Sequence, residues 1–129
     1  MHIRRIFVLL ISILALSVLS SCEPRFEEYY GSIYRTDAEG NMVPLMVTSY
    51  KVRSDNGSLP ILVTYSGSWT VSFTDSCPWA YLDRSSERGV KYFHVGYLRN
   101  DSPQERNVTV KLSCDNGEAL EIAINQAAK

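Results

Sequence analysis

From Trp69 to Gln126 the chain repeats one pattern, short runs in which every second residue is large and apolar. Trp69, Val71 and Phe73 share one parity, as do Phe93, Val95 and Tyr97, then Val108, Val110 and Leu112, then Leu120, Ile122 and Ile124. Tyr92, His94, Thr109, Lys111, Glu121 and Asn125 take the other. Successive side chains of a strand point to opposite sides, so this period gives each run one dry face and one wet one. Antiparallel sheets packed on each other require that, and a helix cannot supply it. The clusters between the runs, S-C-P, S-S-E-R-G, N-D-S-P-Q-E and D-N-G-E, are built from residues that turn a chain.

The pattern predicts strands at 69–73, 79–83, 92–98, 106–113 and 120–126, preceded by the β-branched run I-L-V-T-Y within 60–66. The first two read as a pair joined by a tight turn marked by Pro78, with Trp69 and Trp79 at its ends and on the core side. Further upstream, 32–35 and 42–52 have strand character and are separated by the turn-rich T-D-A-E-G-N. They form an N-terminal hairpin or an edge strand, and Pro44 favours an edge because proline lacks a ladder donor. Asp55-Asn56-Gly57 marks another turn. Strands this short, at this spacing, indicate a β-sandwich or a barrel.

With 129 residues there is room for one domain, and a hydrophobic content of 45% against 21% charged residues is that of a globular protein. Net charge is −1, or −3 once a leader holding Arg4 and Arg5 is removed, with 11 basic residues against 14 acidic. No basic excess exists to draw in phosphate backbones, so nucleic acid is not an expected partner.

Residues 1–21 have the anatomy of a signal peptide. His2, Arg4 and Arg5 precede an apolar run over 6–19, closed by the small residues Ser20 and Ser21. The run is shorter than the roughly 20 apolar residues of a membrane-spanning helix. Its end, L-S-S-C from Leu19 to Cys22, resembles a bacterial lipobox. That resemblance implies cleavage before Cys22, diacylglyceryl transfer to its thiol and often acylation of the new amine, two or three chains being enough for a stable membrane anchor. Glu23, Glu27 and Glu28 follow. They resemble the export signal of Bacteroidetes surface lipoproteins, and they read equally as a solvated tether. Residues 22–46 are thus a lipidated tether with the edge strand or hairpin at its end, and 47–129 the β domain. The expected location is the cell envelope, lipid-anchored in the outer membrane and open to exposure at the surface.

The β domain resembles the BACON domain, the Bacteroidetes-associated carbohydrate-binding often N-terminal module. The residues that carry the resemblance are Trp69-Thr70-Val71, Trp79, Asn100, Arg106 and the closing I-A-I-N-Q from Ile122 to Gln126. Ala80, Tyr81 and the aromatic stretch 92–97 depart from the family pattern. The resemblance implies an all-β, immunoglobulin-like antiparallel β-sandwich of about seven strands. It also implies a non-catalytic module beside glycan breakdown, whose partner is a polysaccharide or mucin glycan. The alternative is a spacer or an interaction subunit that contacts other envelope proteins and binds no sugar.

Among individual residues, Cys77 and Cys114 are left over in an exported chain, and a disulfide between them is expected, contributing about 4 kcal/mol. Tyr65, Tyr81 and Tyr92 are the candidates for stacking on pyranose rings, since their period or loop position turns them outward. His94 lacks a nucleophile turn or ligand cluster around it in the sequence and reads as a surface histidine, with no metal or other cofactor expected. Asp83 and Glu87 flank a turn with Arg84 and Arg88 and do not read as a glycosidase pair. Residues 115–118, D-N-G-E, fit a hairpin turn rather than a calcium loop.

Overall fold

The computed structural model describes residues 31–129. The expected leader, the expected lipidation site Cys22 and the tether up to residue 30 lie outside the described residues. Within them the chain forms β1 (Tyr34–Thr36), β2 (Met42–Pro44), β3 (Ser49–Val52), β4 (Gly57–Val63), β5 (Ser68–Phe73), β6 (Ala80–Leu82), β7 (Ser86–Arg88), β8 (Lys91–Tyr97), β9 (Arg106–Cys114) and β10 (Ala119–Gln126). No helix occurs among the described residues.

A five-stranded sheet, β3-β10-β9-β5-β7, packs on a three-stranded sheet, β4-β8-β6, as a β-sandwich. All pairings are antiparallel except β3 with β10, the first and last strands of the sandwich. β1 and β2 form the expected N-terminal hairpin around T-D-A-E-G-N, with Asp37 accepting from the Asn41 and Glu39 amides.

Among the described residues the sandwich has eight strands, in line with the roughly seven expected; residues 42–52 split into β2 and β3, and Ser86–Arg88 adds β7 beside β5. Two expectations are corrected. The two tryptophan runs are not a hairpin: β5 lies in the large sheet and β6 in the small one, so the Pro78 connection crosses between layers. The chain is also not wholly antiparallel, given the parallel β3–β10 pair.

The alternation places the core as expected. Phe93, Val95, Val110, Leu112, Ile122 and Ile124 are fully buried, and Trp69 from the large sheet meets Phe93 from the small one at 6.0 Å between ring centroids. The indole Nε1 of Trp69 donates to the Gly89 carbonyl at 2.8 Å, so the polar edge of this buried ring is satisfied. Trp79 is half-buried, with the Arg106 guanidinium 4.5 Å above its ring.

Both ends of the sandwich are closed by hydrogen bonds rather than by apolar packing alone. At the β9–β10 turn, Glu118 accepts from the Ser32 hydroxyl (2.6 Å) and the Ile33 amide (3.0 Å), holding the start of the hairpin over the core. At the other end, Gln126 Nε2 donates to the Arg53, Ser54 and Leu98 carbonyls, while its Oε1 accepts from Arg106 Nε at 2.7 Å. Asn100, 1% exposed, donates to the Gln104 and Ala127 carbonyls and accepts from the Ser102 amide. Four of the residues that carry the resemblance, Trp79, Asn100, Arg106 and Gln126, therefore gather at this end, where they tie loops to the ends of strands.

Candidate ligand-binding face

The outward side of the three-stranded sheet carries an aromatic strip. Register places Leu62 beside Tyr92, Pro60 beside His94, and Ser58 beside Gly96 across β4 and β8, with Tyr81 on the far side of Gly96. Tyr92 and Tyr81 are 53% and 57% exposed and Leu62 38%. Four residues along β8 and one strand across, the two tyrosines stand roughly 14 Å apart at strand spacings of about 3.3 and 4.8 Å.

Gly96 gives the strip its shape. A Cβ on this glycine would collide with Cζ, Cε2 and Oη of Tyr81, so the phenol end of the ring lies over the Gly96 backbone. Between the tyrosines, Asp83 Oδ1 accepts from the His94 amide (2.8 Å) and Asp83 Oδ2 meets His94 Nδ1 (3.0 Å). A carboxylate only accepts, so Nδ1 carries the proton and Nε2 is left as the acceptor of the neutral ring. Burial pulls the Asp83 carboxyl upward, and the His94 hydrogen bonds and Arg84 outweigh it, leaving it below the usual carboxylate value. Glu87 is held low as well, by the Arg88 amide and by Lys91.

The free edge of this sheet is blunted. The Asp83 amide donates to the His94 carbonyl at 3.2 Å, and the His94 amide donates to the Asp83 side chain. With both His94 backbone groups turned toward Asp83, Pro60 and His94 are a non-hydrogen-bonded pair, and the missing donor of Pro60 faces outward.

A concavity of about 520 Å³ lies against the large sheet and is lined by Ser68, Thr70, Arg88, Ser113 and Asp115 among others. Trp69 borders it but is 1% exposed, so the groove offers no open aromatic face. Tyr65 belongs to this end of the molecule and not to the strip. It is 6% exposed, its ring covers Gly67, and its hydroxyl donates to Asp115 Oδ1. That bond and burial push the phenol up to about 12. A stacking role for Tyr65 is therefore corrected: its ring has no free face. Tyr65 continues the parity of the buried Ile61 and Val63, and that extension was the signal available in the sequence. Leu62, Pro60 and Gly96 were missed as parts of the face. An apolar residue of the wet parity, such as Leu62, was the clue.

The expected disulfide is also corrected. Cys77 and Cys114 are both free. Cys114 pairs with Trp69 at one end of β5, whereas the chain leaves β5 opposite Val110, about 13 Å further on, before it reaches Cys77. A disulfide needs Cα atoms within about 7 Å. Burial, with Glu118 and Asp115 nearby, pushes the Cys114 thiol up to about 11. No group of three or more His, Cys, Asp or Glu side chains among the described residues is placed to hold a metal ion.

No family model and no curated protein sequence matches the chain. Among solved structures it is similar to a Bacteroides ovatus GH5 xyloglucanase in complex with a XXXG heptasaccharide, with a TM-score of 0.59 and 18% identity over 74% of this chain and 19% of that one. An NMR structure of a protein from Bacteroides thetaiotaomicron matches at 0.48 and 21% identity, over 66% of this chain and 80% of that one. One from Bacteroides vulgatus matches at 0.40 and 19%, over 75% and 88%. The chain thus spans about a fifth of the xyloglucanase. At such identities the first likeness shows the β-sandwich fold.

Proposed function

We propose that this protein is a non-catalytic, lipid-anchored module of the bacterial cell envelope, related to BACON domains, that associates with glycans through the outer face of its three-stranded sheet. The observation that carries this reading is the pair of exposed tyrosines, Tyr81 and Tyr92, on one side of one sheet, with Leu62 and Pro60 alongside and hydrogen-bonding groups between them. Open aromatic faces suit the apolar faces of pyranose rings, while His94 suits a hydroxyl. Asp83 is bonded to His94, and Glu87 to Arg84 and Lys91, so both carboxylates are engaged by neighbouring side chains. The lipobox-like L-S-S-C supports an anchor at Cys22, and the acidic Glu23, Glu27 and Glu28 support export to the outer membrane.

Affinity electrophoresis through gels cast with plant polysaccharides or mucin tests the glycan reading. Retardation of the wild type, reduced in Tyr92→Ala, is expected. Uniformly unretarded migration would discard it in favour of a spacer or protein-contact role. Replacement of Cys22 by Ser is expected to move the protein from the membrane to the soluble fraction.

A further inference from the structure

We infer that Gly96 is a positioning residue that lays Tyr81 flat as a platform, and that the face it completes takes an internal segment of an extended, uncharged polysaccharide lying along β8. This inference rests on the glycan reading and narrows it.

The geometry supplies each part. Gly96 and Tyr81 are cross-strand partners in β8 and β6, and the tyrosine ring occupies the space a Cβ would need. Any larger residue at 96 lifts the ring off the sheet, yet the ring is 57% exposed and free to swing away, so the fold tolerates the change. Tyr92, on the same side of β8, is the second aromatic, its backbone roughly 14 Å from that of Tyr81. A separation of that size is covered by several linked pyranoses and not by one. The face is the outer side of a sheet and not a cleft, a shape suited to the middle of a chain rather than to enclosing a chain end or a single sugar.

Charge selects the polymer. The carboxylate on these rows, Asp83, is already matched by His94 and by Arg84 at 3.5 Å, and Lys91 is turned to Glu87 at 3.1 Å. Among the described residues the strip therefore presents no unpaired cation to a polyuronate.

The test uses the purified full chain in gels of hydroxyethylcellulose, xyloglucan or polygalacturonate. The neutral polymers are expected to retard the wild type and polygalacturonate is not, and free monosaccharide does not compete. Gly96→Ala and Tyr81→Leu are each expected to weaken binding about tenfold, the loss of one aromatic anchor. Thr70→Ala, on the opposite sheet, leaves binding unchanged. Thermal unfolding shows whether each variant is folded. An independent readout is the NMR shift of the Gly96 α-protons, moved upfield by the overlying ring in the wild type and normal in Tyr81→Leu. Normal Gly96 shifts in the wild type, or undiminished binding by a folded Gly96→Ala, overturns the positioning role. Binding to polygalacturonate alone, or competition by monosaccharide, overturns the ligand class while leaving the glycan reading intact. No retardation in any gel, mucin included, overturns both.

Discussion

Gln126 and Asn100 are each 1% exposed, and between them they satisfy five backbone carbonyls of the surrounding loops and termini. A buried carbonyl that loses its donor costs about 1–3 kcal/mol, more than the intact bond contributes net. Gln126→Glu keeps the shape but replaces a donor to the Arg53, Ser54 and Leu98 carbonyls with an oxygen. It is expected to destabilise the fold by at least about 2 kcal/mol, read from urea unfolding. The sequence flagged both residues through their family pattern but not their role. A polar residue at the end of a strand reads as wet unless the loops that close over it are known, and those come from residues 53–54 and 98–104, remote in sequence. Tyr65 was misjudged for a related reason, since its strand ends at Val63 while its parity continues inward.

The elements that alternation announced, β4, β5, β8, β9 and β10, fall within a few residues of their expected positions. β7 did not, because Ser86–Arg88 is three residues long and polar, and what makes it a strand is its partner β5. The destination of β6 was equally hidden, as turn residues report that a chain reverses and not which sheet it joins. The β1–β2 hairpin shows how an element with little core of its own is fixed. It is held by Ile33, fully buried, and by Glu118. Burial raises the Glu118 carboxyl, and the Ser32, Asn116 and Ile33 hydrogen bonds overcome this and leave it below 4.5. A carboxyl lowered by folding stabilises the structure fully above its unfolded value and loses that contribution as pH falls through the folded value. The hairpin amides are therefore expected to exchange faster with solvent deuterium as pH drops below 4.5, after correction for intrinsic exchange, relative to those of β9. Glu118→Gln should exchange faster already at neutral pH and respond less to acid.

For the molecule as a whole, packing and hydrogen bonds do the work that a disulfide was expected to share. Thiol titration of the denatured chain is expected to find Cys77 and Cys114 both free, and a reductant to leave the unfolding temperature unchanged. Fewer than two free thiols from these positions would mean that the sheet register described here is wrong. The parallel pairing of β3 with β10 was the least legible feature of the fold, because nothing in either run distinguishes a parallel neighbour from an antiparallel one. It also has a mechanical side. The described chain begins beside the β9–β10 turn, where Asn116 reaches the Gly31 carbonyl, and finishes at the opposite end, where the Lys129 amide meets Ser102. Tension between those points, once the hairpin has peeled away, pulls β3 and β10 along their axes in opposite directions. Their hydrogen bonds then bear load together instead of opening one at a time, so the sandwich resists extension between its two ends more than a peeling geometry would.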